Sequence, residues 1–200
     1  MIAVLDYGIG NLRSAQKALE KAGADAVLVS DPAAAVGASG VVLPGVGAFG
    51  RCMEALRETG LDRVALDAIG AGTPFLGICV GMQLLYAASE ESPGVAGLGA
   101  FDGAVVRLPD GVKRPQMQWN VLVPTRPDSA LLDGLGPEPW VYFVHSFAPE
   151  PTGDVVATCD YGGPVVAAVE RGALWATQFH PEKSGAVGAR VLSNFAKSCS

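Results

Sequence analysis

Thr73-Pro-Phe-Leu-Gly-Ile-Cys79-Val-Gly-Met-Gln83-Leu-Leu-Tyr86 is the stretch on which the fold turns. Its first half is short, apolar and opened by a proline, which predicts a buried strand. Its second half, running from Val80 on to Ala88, predicts a helix. Cys79 stands at the junction, with Gly77 and Gly81 two residues to either side. A strand that turns sharply into a helix needs small neighbours, and it lifts the central side chain above the sheet edge. Free N–H groups at the start of the helix favour a negative charge there. The stretch alone leaves a second reading open, a small buried core residue in an ordinary α/β turn.

Composition narrows the class. The chain has 200 residues, half of them hydrophobic and 17% charged. That suits one α/β domain spanning 1–200, with a parallel sheet buried on both faces. The formal net charge is −6 and no long basic run occurs, which argues against nucleic acid or an anionic membrane as partner. Cys52, Cys79, Cys159 and Cys199 show no metal-type spacing, and His145 and His180 are the two histidines. No metal site and no cofactor are expected. The opening Met-Ile-Ala-Val-Leu carries no secretory pattern, so a cytoplasmic location with reduced thiols is expected. The uncharged run from Ala68 to Ser89 has the length of a membrane span, but Pro74 and four glycines break it.

Outward from Cys79, the N-terminal half alternates strand and helix. Met1–Leu5, Ala26–Val29 and Gly40–Leu43 read as strands. A helix after Asn11 carries the apolar stripe Leu12, Ala15, Leu19 and Ala22, with Asn11 as N-cap and Gly23 past its end. Further helices are expected over Arg51–Glu58 and Leu61–Ala71. The order predicts a flavodoxin-like, doubly wound and mostly parallel sheet with helices on both faces. Ligands bind beyond the carboxyl ends of such strands. The Asp6–Asn11 loop, the Pro44–Gly50 loop and the Cys79 turn should therefore share one crevice. Gly8-Ile-Gly10 lacks the third glycine of a dinucleotide fingerprint and no P-loop lysine follows, so nucleotide binding is not expected. After Ala88 come short strand-like runs: Gly103–Leu108, Val121–Pro124, Trp140–Val144, Val155–Cys159, Val165–Val169 and Ala173–Phe179. They predict a mixed or antiparallel C-terminal extension, with a helical piece near Ser129–Asp133 and a last helix from about Ala186 to Lys197.

Three features could carry chemistry. A thiol nucleophile needs a base near neutral pKa, and the base needs an orienting partner. His180-Pro181-Glu182 offers both, because residues two apart on an extended chain face the same way. His145 competes as base but has no carboxylate nearer than Glu150, and reads as structural or substrate-lining. Pro44-Gly45-Val46-Gly47 supplies a glycine-rich loop that can aim a peptide N–H at a ligand. A tetrahedral intermediate on Cys79 needs such donors, and the backbone N–H groups of Val46 and Val80 are the expected pair.

Pro44-Gly-Val-Gly47, Gly77-Ile-Cys79-Val-Gly-Met-Gln83 and Phe179-His-Pro-Glu182 together resemble the class I, triad-type glutamine amidotransferases. Asp6-Tyr-Gly-Ile-Gly-Asn11, Tyr142-Phe-Val-His-Ser146 and His180-Pro-Glu-Lys-Ser184 resemble, more narrowly, the glutaminase subunits of imidazole glycerol phosphate synthases. The resemblance spans Met1 to about Ala196. It implies Cys79 as nucleophile, His180 as general acid and base, and Glu182 as its orienter. It implies glutamine held by Gly45, Gly47 and Gln83, with backbone from Ser146 and Phe147. It further implies ammonia passed to a (β/α)8-barrel cyclase subunit in a heterodimer. Tyr7, Asn11, Met117, Trp119, Asn120 and Lys183 would lie towards that partner.

One stretch departs from the family. Where it often carries Pro-His-Met-Gly-Trp-Asn, this chain reads Pro115-Gln-Met-Gln-Trp-Asn120. Other readings remain open at this point: the glutaminase of a different synthase such as anthranilate synthase, a thiol hydrolase or sensor on the same sheet, or a non-catalytic binding subunit.

Overall fold

In the computed structural model, which describes residues 1–200, β1 (Ile2–Leu5) is apolar and buried at every position and runs inside the sheet. After it come α1 (Leu12–Lys21), β2 (Ala26–Val29), β3 (Gly40–Gly45), α2 (Phe49–Glu58), α3 (Leu61–Gly70) and β4 (Phe75–Cys79). The four strands pair in parallel in the order β2-β1-β3-β4, as the alternation of elements predicts. α1 buries Ala15 and Leu19 of its apolar stripe against the sheet. Asn11 precedes it, but makes no capping bond through its side chain.

Beyond Cys79 the structure departs from expectation. The helix is one turn, α4 (Val80–Gln83), and the chain passes directly into β5 (Tyr86–Ser89). Leu84, Leu85 and Tyr86 are fully buried, and a run that is apolar on all sides suits a strand as well as a helix. Backbone partners decide between them. Gly97, Leu98 and Ala100 donate to the carbonyls of Ala87, Leu84 and Leu85 at 2.9, 2.8 and 2.7 Å. These bonds come from a distant loop and lie outside any helix ladder.

The remaining elements are β6 (Phe101–Arg107), β7 (Gln116–Val121), β8 (Val123–Pro124), β9 (Trp140–His145), β10 (Phe147–Pro149), β11 (Val155–Asp160), β12 (Pro164–Arg171), β13 (Leu174–Thr177) and α5 (Gly185–Ser198). They divide three ways. β13, β12, β11 and β8 extend the main sheet to eight strands. β10, β6 and β5 make a second sheet, and β7 with β9 an antiparallel ribbon. Residues 131–133 form turns and no helix: the bonds there reach back three residues, from the Asp133 N–H to the Ala130 carbonyl at 3.4 Å and from the Leu135 N–H to the Leu132 carbonyl at 3.2 Å, while the Glu170 carboxylate takes the N–H groups of Ala130 and Leu131 at 3.3 and 3.1 Å. The uncharged run over 68–89 is divided among α3, β4, α4 and β5, and no helix is long and apolar enough to cross a membrane.

One pairing matters most for the site. β13 lies beside β4 and parallel to it, with Thr177 opposite Ile78, while its other neighbour β12 is antiparallel. The chain leaving β13 therefore emerges next to Cys79.

Candidate active site

Cys79 adopts φ 55° and ψ −113°, and it is the one non-glycine residue with positive φ. This is the strained turn that the flanking glycines anticipate. A Cβ on Gly81 would run into the Leu43 carbonyl oxygen, and one on Gly77 would meet the Gly81 carbonyl oxygen at 2.9 Å. Gly81 lets the turn pack down on β3, and Gly77 lets α4 lie close against β4. Since α4 is a single turn, what it offers an anion is its first N–H groups, starting with Val80, and hardly a macrodipole.

The structure brings the three proposed side chains together. His180 Nδ1 lies 2.8 Å from Glu182 Oε1, and both side chains are 1% exposed. The carboxylate accepts, so Nδ1 carries a proton and Nε2 is left for chemistry. Nε2 is buried without a hydrogen-bond partner and lines the same cleft as Cys79. Burial opposes charge on this imidazole, but neighbouring Cys79 and Glu182 outweigh it and push the pKa up to about 9. The backbone of His180 is clamped: its N–H donates to the Tyr142 carbonyl at 3.0 Å, and its carbonyl accepts from Ser184 Oγ at 2.6 Å.

The cleft has a volume of about 250 Å³. Val46, Gly47, Val80, Gln83, Ser146 and Phe147 all line it, as the sequence suggests for oxyanion and glutamine contacts. Gly45 does not. It ends β3 behind the cleft, where a Cβ would meet the Gly81 amide nitrogen at 2.7 Å. The loop above it is tethered from below, since Tyr7 Oη donates to the Pro44 carbonyl at 2.6 Å and Cys52 Sγ to the Val46 carbonyl at 3.2 Å. The Val46 N–H takes part in none of the loop's hydrogen bonds.

Several residues assigned to a partner surface are placed differently. Tyr7 is buried beneath the Pro44 loop and reaches no surface. Asn11 turns inward, and its Nδ2 donates to Glu182 Oε1 at 3.2 Å, which is why it caps nothing. Asn120 donates to the Asp160 carbonyl at 2.9 Å and sits on the face of β7 away from Trp119. Met117, Trp119 and Lys183 are exposed.

Gln178 is the site residue that sequence reasoning missed. Fully buried, it donates from Nε2 towards Cys79 Sγ at 3.7 Å and accepts from Gln83 Nε2 at 3.0 Å. Its position two residues before His180 on an extended chain was the available signal. Glu91 also lines the cleft, held by the Phe49 N–H at 2.8 Å. Nothing in the sequence pointed to it.

A strained cysteine elbow, a carboxylate-held histidine with one free nitrogen, and a glycine loop facing both define a class of protein. The chain belongs to the class-I glutamine amidotransferase family, whose model matches residues 3–199. Among its curated relatives, the imidazole glycerol phosphate synthase subunit HisH of Methanothermobacter thermautotrophicus is 53% identical over 196 residues, covering 98% of this chain and 97% of the relative. The protein of the same name from Deinococcus radiodurans is 52% identical over 200 residues, covering 97% and 92%. A solved glutamine amidotransferase superposes with a TM-score of 0.77 at 22% identity, covering 98% of both chains. PurLQS from Thermotoga maritima superposes with a TM-score of 0.75, again at 22%, covering 99% of this chain and 96% of that one. At that identity the likeness is one of fold.

Proposed function

We propose that this chain is the glutaminase subunit of an imidazole glycerol phosphate synthase, acting in histidine biosynthesis. Cys79 gives its thiol proton to His180 Nε2 as its sulfur attacks the glutamine carboxamide carbon, and the oxyanion that develops is met by the backbone N–H groups of Val46 and Val80. His180 gives its Nε2 proton to the leaving nitrogen, so that ammonia departs and a glutamyl thioester remains. The imidazole then takes a proton from water, whose oxygen attacks the thioester and releases glutamate and the thiol. Glu182 holds the ring in the tautomer that leaves Nε2 available. A nucleophile that must stay reduced fits the cytoplasm.

One observation carries the reading: the unpartnered Nε2 of His180 and the sulfur of Cys79 line one cleft, with Glu182 fixing the far side of the ring. The ammonia acceptor is a (β/α)8-barrel cyclase subunit, which makes imidazole glycerol phosphate and the aminoimidazole carboxamide ribotide. Its seat is the outer face of the β7–β9 ribbon. Met117 and Trp119 are 61% and 47% exposed there, and the Trp119 and Tyr142 rings meet edge-on at 6.1 Å. β9 carries Tyr142 on that face and ends at His145 in the cleft wall, so a partner seated there adjoins the site.

The test is labelling with a diazoketone analogue of glutamine in the presence of the cyclase, followed by mass mapping. A single adduct on Cys79 is expected, together with ammonia release from glutamine that rises when the cyclase is added. An adduct elsewhere, or none, would overturn the assignment. Ammonia release that follows a different synthase would move the chain to another amidotransferase.

A further inference from the structure

Apart from the triad, a buried polar array runs from β7 to the cleft wall. Gln116 is fully buried, and His145 is nearly so. The Gln116 amide lies 2.9 Å from His145 Nε2 and 3.8 Å from Cys159 Sγ. His145 Nδ1 lies 2.8 Å from the Phe147 carbonyl oxygen. That oxygen also accepts from Gln83 Nε2 at 2.9 Å, and the same nitrogen donates to Gln178 Oε1 at 3.0 Å.

Chemistry sets the direction of each bond. A carbonyl oxygen only accepts, so the imidazole proton sits on Nδ1. Nε2 is then bare and needs a donor, and the NH2 of Gln116 is the group that can supply one. The two ends of an amide are told apart by such a network. The Gln116 amide, whose Oε1 lies towards His145 Nε2 and whose nitrogen lies towards Cys159, must therefore be turned over, so that its oxygen faces Cys159, whose thiol is pushed by burial up to about 11 and so remains a donor. Burial likewise holds His145 neutral, driving its pKa down to about 4. The Phe147 carbonyl offsets this only in part, and nearby His180 adds to it. Donation runs one way, from Cys159 through Gln116 and His145 to the Phe147 carbonyl. With both hydrogens of its amide engaged, Gln83 has only its oxygen to offer the cleft.

We propose that Gln116 and His145 are positioning residues for glutamine binding: through the Phe147 carbonyl they fix the cleft wall and the orientation of the Gln83 amide. The stretch in which this chain departs from the resembling family thus holds a member of the array. Gln116 stands where that family often has a histidine, whose ring N–H can also donate to His145. The kinetic side of this inference rests on the glutaminase reading, whereas its tautomer is read without substrate.

Two measurements test it. Long-range nitrogen–proton NMR of the wild-type chain at neutral pH should find His145 protonated on Nδ1 alone; an Nε2–H tautomer would overturn the proposal. With the cyclase present, Gln116→Leu should raise the KM for glutamine roughly tenfold, the scale of one lost buried hydrogen bond, and leave kcat within about twofold. Gln116→His should bring KM back to within about threefold of wild type. An unchanged KM in Gln116→Leu, or a fall in kcat at constant KM, would also overturn it. Should Gln116→Leu fail to fold, the wild-type tautomer and the KM of Gln116→His decide. No ammonia from the wild-type complex would sink the glutaminase reading itself, and the tautomer tells that failure apart.

Discussion

Asn11 donates its side-chain amide to Glu182 Oε1 across 171 positions of sequence, on the same oxygen that accepts the His180 Nδ1 proton. Glu182 Oε2 is buried with no partner, so Oε1 and its two donors set the carboxylate's orientation. Asn11→Ala should therefore lower kcat for glutamine hydrolysis roughly tenfold, as loss of an outer-shell orienting bond does, at little cost in KM. Steady-state kinetics at saturating cyclase, with cyclase affinity measured separately, check this. A change in affinity alone would return Asn11 to the partner surface.

Strain at Cys79 gives a pair of variants that separate backbone from chemistry. Both Cys79→Ala and Cys79→Gly should abolish glutamine hydrolysis. At φ 55° with ψ −113°, outside the left-handed α well, only glycine sits without strain. Cys79→Gly should be more stable than Cys79→Ala by roughly 1 kcal/mol, or about 2–4 °C in thermal melting for a chain of this size. Equal melting points would mean the turn stores no strain.

Gly81 makes the opposite prediction. Gly81→Ala drives a methyl into the Leu43 carbonyl oxygen, a backbone atom of β3 that cannot swing away. The expected loss is about 3 kcal/mol, visible as a lower midpoint in urea. A conservative change of one methyl should thus harm folding more than removal of the nucleophile does.

His145 shapes the acid limb of stability. It faces Gln116, the Phe147 carbonyl and, at greater range, His180, and its folded pKa is lowered to about 4. The unfolded value lies near 6.5, so between the two the unfolded chain binds more protons. Stability from this group is complete above about pH 6.5 and falls as the pH drops towards 4, by up to about 3 kcal/mol. Urea titrations of wild type and His145→Asn should diverge in slope inside that window and run parallel above it.

Trp119 tests the docking face. Half exposed and stacked edge-on against Tyr142, it has little to lose in folding and much in association. Trp119→Ala should weaken cyclase binding by about 2 kcal/mol, or roughly 30-fold in Kd, while melting stays close to wild type. Calorimetric titration with the cyclase checks this, and an unchanged Kd would move the interface elsewhere.

Much of this arrangement is legible in the sequence itself. The alternation that made β1 to β4 parallel is a local pattern, and so is the glycine frame around Cys79. His180 and Glu182 could be paired by their spacing, but not for the extended-chain reason: Pro181–Lys183 forms a 3-10 turn, and it is from that turn that the Glu182 carboxylate meets Nδ1. What could not be read was decided over long range. The run from Leu84 to Ala88 became loop and strand because distant amides around Gly97 claimed its carbonyls. Asn11 looked like a cap because its true acceptor lies near the other end of the chain. Tyr7 looked like an interface residue because loop position does not reveal that its ring folds under the Pro44 turn. Gln178 was open to the same two-residue reasoning that found Glu182.

The parallel register of β4 and β13, Ile78 against Thr177, sets the cysteine beside the histidine loop. The chain leaves that pair after α4 and comes back to it at Leu174, and the excursion between carries the ribbon face and the second sheet. The triad is thus written outside the excursion, while the excursion supplies both the partner-facing ribbon and one wall of the glutamine cleft. An ammonia-producing core of this kind can be refitted to a new acceptor enzyme by redrawing the outer face of the ribbon alone, with its inner wall and the atoms that break the carboxamide bond left where they are.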